Sequence, residues 1–240
     1  MTGQPPRRGE GRVGVIVAAA GLGARLGRGS KALLELNGRT LLRRAVERCS
    51  ELAEVDEVVL AVPPAQQDFA CREAMRTGTS KPVTVVAGGD TRQESVRLGL
   101  GALGGCEWVL VHDAARPLAS AELFRRVLSA TRVRGAAVPA LTPQDAVKRV
   151  EGGQLGESLD RSGLRLVQTP QGFARATLER AHVQAADSGL SADDDAQLVR
   201  AVGQEVAVVP GEVSNLKLTT EEDLVLLQAL LAAREAASSR

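Results

Sequence analysis

Basic side chains and small residues occur together in AAAGLGARLGRGSK, residues 18–31. Alanine and glycine let a ligand approach the backbone closely, and exposed N–H groups bind phosphate. Arg25 and Lys31 add two cations, which suit a triphosphate or the charge that develops on it during transfer. Leu26 stands where a dinucleotide-binding fingerprint needs its third glycine, and Lys31 follows Ser30 rather than the Walker glycine. The segment therefore predicts a phosphate-binding loop of another type; the alternative is a flexible loop with incidental basic residues.

An aspartate and an arginine lie close together in VHDAARP, residues 111–117. Asp113 could hold Mg²⁺ against phosphate oxygens, and Arg116 could bind an anionic substrate. The alternative is an internal ion pair between Asp113 and Arg116. His112 is predicted to be structural, because transfer to an already ionised phosphate needs no general base.

A third polar loop is AGGDTRQES, residues 87–95. Asp90 and Ser95 carry hydrogen-bonding groups that could contact the edge of a base. Thr91 and Glu94 have the spacing of a helix capping box, which Ser191 with Asp194 and Thr220 with Asp223 repeat. These residues are interpreted as helix caps rather than ligands. The run 193–195 of three aspartates is likewise interpreted as structural, since acids at a helix N-terminus offset its dipole.

Alternating strands and helices must position these loops. Five valine-rich runs are typical of buried parallel strands: Val13–Ala19, Glu57–Val62, Pro82–Ala87, Glu107–Val111 and Ala136–Ala140. Apolar residues recur at helical spacing over residues 41–52, and Ser120 is a predicted N-cap. The alternation predicts a doubly wound α/β sheet, in which ligands bind beyond the carboxyl ends of the strands.

A segment from about residue 141 to 168 interrupts that alternation. Two β-like runs, Ala146–Val150 and Leu164–Val167, flank a glycine-rich connection and predict a hairpin arm. A hairpin cannot bury both faces alone, so the arm is expected to pack on a second subunit, the alternative being a mobile surface insertion. Residues 1–12 are predicted to be a disordered tail, and residues 13–235 a single domain.

Composition excludes several classes of protein. The chain has 240 residues, 30 basic and 29 acidic side chains, and 2% aromatic residues, so a nucleic-acid binder is not indicated. No apolar run approaches the roughly 20 residues of a membrane helix. The three cysteines form no CxxC pair, which argues against a zinc site or disulfide framework and favours the cytoplasm.

Read in order, the motifs AAGxGxR, GGDxRxxSV, VHDAARP, LDRxGL, QTPQ and NLK followed by EDL resemble one family from about Val13 to Leu230. This is the 2-C-methyl-D-erythritol 4-phosphate cytidylyltransferase family. The resemblance implies a Rossmann-like α/β nucleotidyltransferase domain with a mostly parallel sheet and a β-arm exchanged across a homodimer. It also implies Mg²⁺-dependent attack of methylerythritol phosphate on the α-phosphorus of CTP, with release of pyrophosphate.

The resemblance also implies residue roles. The catalytic residues would be Arg25, Lys31, Arg161 and Lys217. The residues on CTP would be Ala19, Ala20, Gly21, Gly23, Gly88, Asp90, Ser95 and Asp113, with Asp113 also holding the metal. The residues on methylerythritol phosphate would be Arg116, Arg161, Thr169 and Lys217, with Arg161 coming from the partner's arm.

The chain departs from the family pattern at four places. Ser30 replaces a common proline, and Ala32 replaces a glutamine. Ala146 and Asp193 stand where threonines are expected on the acceptor side. Two alternatives therefore stay open. One is a related enzyme using another nucleotide or another polyol phosphate, such as ribitol 5-phosphate. The other is a dinucleotide-binding protein without transferase activity, which the lack of an acidic residue near Val62 disfavours.

Overall fold

The computed structural model describes residues 11–20 and 34–238. Its strands are β1 (Val13–Ala18), β2 (Glu35–Leu36), β3 (Arg39–Thr40), β4 (Glu57–Val62), β5 (Val83–Ala87), β6 (Trp108–Asp113), β7 (Ala136–Leu141), β8 (Lys148–Glu151), β9 (Gln154–Ser158), β10 (Leu166–Val167), β11 (Gln171–Ala174) and β12 (Ala207–Pro210). Its α-helices are α1 (Leu41–Glu51), α2 (Gln67–Met75), α3 (Arg92–Ala102), α4 (Ala121–Arg134), α5 (Arg175–Ser188), α6 (Asp195–Ala201) and α7 (Glu221–Ser238).

Eight strands of the described residues form one sheet, in the order β10-β7-β11-β6-β1-β4-β5 with β12 paired to β7. β1 runs parallel to β4 and β6, and β4 runs parallel to β5. β11 is antiparallel to both β6 and β7, so β6 and β7 point the same way. The predicted mostly parallel α/β sheet is therefore confirmed.

Helices cover both faces of this sheet. Along β1, Val13, Val15 and Val17 pack with α1, α2 and α4, whereas Ile16 packs with α3, α5 and α6. The predicted apolar stripe of α1 faces the first of these clusters. Ser120 caps α4 as predicted, its hydroxyl accepting from the Leu123 N–H at 3.0 Å. No helix in the described ranges is both long enough and apolar enough to cross a membrane.

Strand β11 lies between β6 and β7 and was not among the predicted strands. It has four residues, including Gly172, and no β-branched side chain that would signal a strand. A Cβ on Gly172 would lie 2.1 Å from the Thr131 hydroxyl oxygen of α4, so only glycine fits there.

The arm differs from its prediction in its second strand. The hairpin joins β8 to β9 through Gly152 and Gly153, whose φ values are 56° and 78°. Two positive φ values suit the tight turn of a two-residue hairpin, so the strand resumes directly after the glycines. The predicted strand Leu164–Val167 is wrong as part of the hairpin, because Leu166 and Val167 pair with β7 in the main sheet.

Helix α6 also begins later than predicted. Asp194, rather than Ser191, is its N-cap and accepts from the Gln197 N–H at 2.9 Å. The preceding loop is held by a tertiary contact, since the Ala192 N–H donates to the Gln93 side chain at 3.1 Å. The predicted cap at Thr220 is confirmed by its reciprocal bonds with Asp223.

The burial of two cysteines predicts which thiols react in the folded protein. Burial raises the pKa of Cys49 and of Cys106 to about 12, and the Cys106 thiol also donates to Glu57 at 2.8 Å. At pH 8 only roughly one such thiol in ten thousand is ionised, and the thiolate is the reactive form. We expect iodoacetamide to modify the partly exposed Cys71 in the folded protein and the other two only after unfolding. Peptide mass spectrometry with and without guanidinium checks this; equal labelling of all three in the folded protein would contradict it.

Candidate functional site

Loops that follow β1, β4, β5 and β6 meet at the carboxyl edge of the sheet. Ala19 N–H donates to the Ala61 carbonyl at 2.8 Å, and Gly88 N–H donates to the Val62 carbonyl at 2.7 Å. A Cβ on Gly88 would lie 2.5 Å from the Cβ of Ala20. The loop after β5 therefore touches the start of the loop after β1, and this contact requires glycine.

Three predicted CTP-binding residues, Ala19, Ala20 and Gly88, are thus neighbours. The predicted residues Gly21, Gly23, Arg25 and Lys31 lie outside the described residues.

Ser95 and Asp90 lie beside the turn formed by Gly88 and Gly89, one buried and the other exposed. Ser95 is buried, and its hydroxyl accepts from the Gly89 N–H at 3.1 Å and donates to the Thr91 carbonyl at 2.8 Å. Asp90 is exposed beside that turn. Ser95 therefore shapes the turn from inside, while Asp90 presents a carboxylate at the surface.

Asp113 ends β6 and contacts two cations. Its Oδ1 accepts from Arg92 Nε at 2.9 Å, and its Oδ2 pairs with Lys217 Nζ at 2.7 Å. Burial alone would raise the pKa of Asp113, but attraction to Arg92 and then to Lys217 outweighs it and holds the pKa well below its usual range. The alternative pair with Arg116 is not formed; Arg116 Nη1 donates to the Asn215 carbonyl at 2.7 Å.

Thr169 connects Asp113 to the buried His112. The Thr169 hydroxyl oxygen accepts from the Asp113 N–H at 3.1 Å and lies 3.2 Å from His112 Nδ1. Burial, opposed by the Asp113 charge, lowers the pKa of His112 to about 4. The ring is therefore neutral at pH 7, so Nδ1 can accept from the hydroxyl. Its packing against Phe124, with ring centroids 5.0 Å apart, supports the predicted structural role.

Two amide side chains that sequence analysis missed hold the loop of Lys217. Gln168 donates to the Glu212 carbonyl at 2.9 Å and accepts from the Glu212 N–H at 3.0 Å. Asn215 Nδ2 donates to the Thr169 carbonyl at 2.9 Å. Both residues belong to motifs quoted above, QTPQ and NLK, so motif membership was the available signal.

Arg92 was also missed, although it lies inside the third loop motif. Besides Asp113, it donates from Nη1 to Asp195 Oδ2 at 2.7 Å. Asp195 belongs to the aspartate run that was interpreted as structural. The two carboxylates outweigh burial and raise the pKa of Arg92, so this guanidinium stays charged.

Arg161 lies on the arm, in a single helical turn after β9, and donates to the Gln144 carbonyl. Among the described residues, no hydrogen bond or ion pair joins Arg161 to Asp113, Thr169 or Lys217. Within one chain, Arg161 therefore makes no direct contact with these three residues.

A metal site made of protein groups alone is absent from the described residues, where no three His, Cys, Asp or Glu side chains cluster suitably. Asp113 nevertheless has the chemistry of one Mg²⁺ ligand. It is an ionised carboxylate, and Lys217 on its Oδ2 is 45% exposed and so displaceable. Mg²⁺ commonly takes one or two carboxylates and completes its shell with substrate phosphates and water.

A mostly parallel sheet with small-residue loops and a paired aspartate and lysine at its carboxyl edge is the architecture of a nucleotidyltransferase. Within that class, a sequence model of the 2-C-methyl-D-erythritol 4-phosphate cytidylyltransferase family, IspD, matches residues 13–233. The chain belongs to this family.

Relatives agree with this assignment. The chain is 45% identical over 218 residues to 2-C-methyl-D-erythritol 4-phosphate cytidylyltransferase of Thermus thermophilus, covering 91% of this chain and 96% of that one. It is 46% identical over 230 residues to the bifunctional enzyme IspD/IspF of Anaeromyxobacter dehalogenans, covering 94% of this chain. This chain spans 58% of that enzyme, and 56% of the bifunctional enzyme of Desulforudis audaxviator.

Solved structures show the same fold. A crystal structure of the Thermus thermophilus enzyme superposes with a TM-score of 0.76 at 42% identity, covering 91% of this chain and 98% of that one. The 4-diphosphocytidyl-2C-methyl-D-erythritol synthase of Anaerococcus prevotii superposes with a TM-score of 0.81 at 31% identity, covering 92% and 98%.

The neutral state of His112 predicts how the stability of the protein depends on pH. An unfolded histidine binds a proton below about pH 6.5, whereas folded His112 stays neutral down to about pH 4, so the unfolded state binds more protons in between. We expect this group to lower the free energy of unfolding by about 2 kcal/mol between pH 7 and 4.5.

A His112→Asn variant removes that titration, so its stability should fall less over the same range than that of the wild type. Urea unfolding at pH 7, 5.5 and 4.5 in metal-free buffer measures the difference. Parallel losses in both proteins would contradict a neutral buried His112.

Proposed function

We propose that this protein transfers the cytidylyl group of CTP to 2-C-methyl-D-erythritol 4-phosphate and releases pyrophosphate, a step in the synthesis of isoprenoid precursors. The observation that carries the proposal is the contact of Asp113 with Lys217 at the carboxyl edge of the sheet, in a chain of this family. We include a cytoplasmic location, which the three free cysteines support.

Nucleotide binding is assigned to the loops after β1 and β5. The close contact of Ala20 with Gly88 leaves backbone rather than side chains at that junction, which suits phosphate and ribose. Exposed Asp90 is assigned to the cytosine, on a turn that Ser95 shapes. We assign Arg25 and Lys31 to the triphosphate from the sequence alone.

Acceptor binding is assigned to Lys217, Thr169 and Arg116. The Lys217 ammonium lies beside Asp113 on a side chain that is 45% exposed, which suits it to pair with a phosphate. Thr169 and Arg116 both bond to Asn215, and Thr169 also bonds to Asp113, so the acceptor would bind to a preformed surface.

The reaction needs little from the protein beyond positioning. A phosphate oxygen of the acceptor bonds to the α-phosphorus of CTP, and the bond from that phosphorus to pyrophosphate breaks. The attacking phosphate is already ionised, so no general base is required, in agreement with the structural role of His112. Lys31, Arg25 and Lys217 offset the charge of the transition state, without a covalent enzyme intermediate.

Mg²⁺ is proposed as the metal, with Asp113 as its protein ligand. When bound, it would neutralise phosphate charge that the cationic side chains leave uncompensated. Asp113 would hold the ion, and Lys217, which lies beside its carboxylate, would pair with the acceptor phosphate.

Pyrophosphate release tests the function. With Mg²⁺ we expect release from CTP and 2-C-methyl-D-erythritol 4-phosphate, and about a hundredfold less from a Lys217→Met variant of similar stability, because that change removes one transition-state cation. Each other nucleoside triphosphate and ribitol 5-phosphate serve as comparisons. Faster release with ribitol 5-phosphate would support the alternative acceptor, and no release with any pair would support a protein that only binds nucleotide.

The arm is proposed to form a homodimer. Val150 is 66% and Leu155 72% exposed, although they lie opposite each other in the hairpin. An isolated two-stranded hairpin is marginally stable in water, so a second subunit would supply the missing cover. Arg161, at the base of the arm, would then reach the partner's site.

Mixed dimers test this crossing. We expect Arg161→Ala and Lys31→Ala homodimers to be nearly inactive. Random association of the two should recover about a quarter of wild-type activity, because half of the dimers are mixed and each holds one complete site.

Co-expression with two affinity tags isolates the mixed dimer for assay. Circular dichroism of both parents is the control for folding. Mixed dimers as inactive as their folded parents would rule out the crossing.

A further inference from the structure

The two oxygens of Asp113 have different partners. Oδ1 accepts from Arg92, whose side chain is 25% exposed, and Oδ2 pairs with Lys217 on a surface loop. The Lys217 side chain is 45% exposed, so a bound ligand can reach Oδ2 and take the place of the ammonium there. Asp113 therefore has one oxygen held by the less exposed Arg92 and one oxygen on the side of the surface loop.

Arg92 cannot leave Oδ1 so easily, because a second carboxylate holds it. Its Nη1 donates to Asp195 Oδ2 at 2.7 Å, and the Asp195 side chain is 1% exposed. Movement of Arg92 away from the pair would leave a buried carboxylate without its cation, which is strongly destabilising. The planar guanidinium meets both carboxylates at once through separate N–H groups, which a lysine ammonium cannot do at the same geometry.

Asp195 is itself fixed from other directions. His182 Nε2 lies 3.1 Å from Asp195 Oδ1 and donates to it, since a carboxylate only accepts. Gln171 of β11 binds the residues on either side: its Nε2 donates to Asp194 at 2.9 Å, and its Oε1 accepts from the Ala196 N–H at 3.2 Å. The chain of contacts thus runs from the centre of the sheet through Asp195 and Arg92 to Asp113.

We propose that Arg92 and Asp195 are positioning residues, which hold Asp113 by Oδ1 so that Oδ2 alone is presented to the bound substrates. The inference rests on the proposed function, because it concerns where Asp113 presents its charge during cytidylyl transfer. Neither residue touches the reacting atoms; Arg92 acts through Asp113, and Asp195 acts through Arg92.

Arg92→Lys is the direct test, and Arg97→Lys is its matched control. Both positions lie on α3, and Arg97 is exposed with only a 3.8 Å contact to Glu94. We expect Arg92→Lys to lower kcat by about a hundredfold, the cost of a group misplaced by about 1 Å, while the KM for CTP changes far less. Arg97→Lys should keep the wild-type kcat.

Asp195→Asn is a second variant of nearly the same shape. It should lower kcat in the same way, and the double variant Arg92→Lys with Asp195→Asn should be no worse than the poorer single variant, because both act on one group. Thermal unfolding of every variant separates the effects. A loss of stability with an unchanged kcat would mean a structural contact between α3 and α6 only, and would overturn the proposal.

Crystal structures of wild type and Arg92→Lys give a readout independent of activity. We expect one orientation of the Asp113 carboxylate in the wild type and more than one in the variant. An unaltered carboxylate in the variant would overturn the inference. Failure of the wild-type protein to release pyrophosphate would instead contradict the proposed function, and these structures would still decide whether Arg92 holds Asp113.

Discussion

A buried carboxylate at the end of β6 is the constraint on which the site depends. Asp113 is 8% exposed, and an unpaired charge at such a position would be costly. Two cations solve this problem, and they come from distant parts of the chain, Arg92 from the start of α3 and Lys217 from the loop before α7. Arg92 and Lys217 must both reach this carboxylate. The start of α3, which follows β5, and the loop before α7 therefore both lie at the carboxyl end of β6. The ion pairs thereby assemble the surface that is proposed to bind CTP and its acceptor.

One short segment, residues 168–171, holds the loops that carry Lys217 and Asp195 next to Asp113. Gln168 holds the loop that carries Lys217, and Gln171 holds the loop that carries Asp195. Between them, the Thr169 hydroxyl accepts from the backbone of Asp113. Insertion of β11 between β6 and β7 is what places these side chains beside Asp113. Strand β11, which is antiparallel to both of its neighbours, therefore has a role in the site, since a sheet with β6 and β7 in direct contact would leave no room for the segment.

Strands β1, β4, β6 and β7 could be predicted because they are buried on both faces, which makes them continuous apolar runs. The edge strand β5 is only partly buried but is also rich in valine. The same rule could not find β11, whose conformation depends on pairing with both neighbours rather than on its own residues. It also assigned Leu166 and Val167 to the arm, since a β-like run does not specify its partner. The glycine pair at 152 and 153 carried the needed information, because two positive φ values close a hairpin at that point.

Motifs brought Asp113, Thr169 and Lys217 to attention, and the structure joins these three. They could not rank the aspartates of the 193–195 run, which were interpreted together as helix-capping acids. In the folded chain the three diverge: Asp193 is exposed, Asp194 caps α6, and Asp195 is buried against Arg92. Consecutive residues at a helix start point in different directions, so a run of like charges need not act as one group. Contacts with Arg92, 103 residues away in sequence, and with His182 distinguish Asp195 from its neighbours, and such tertiary contacts leave no periodic signal in the sequence.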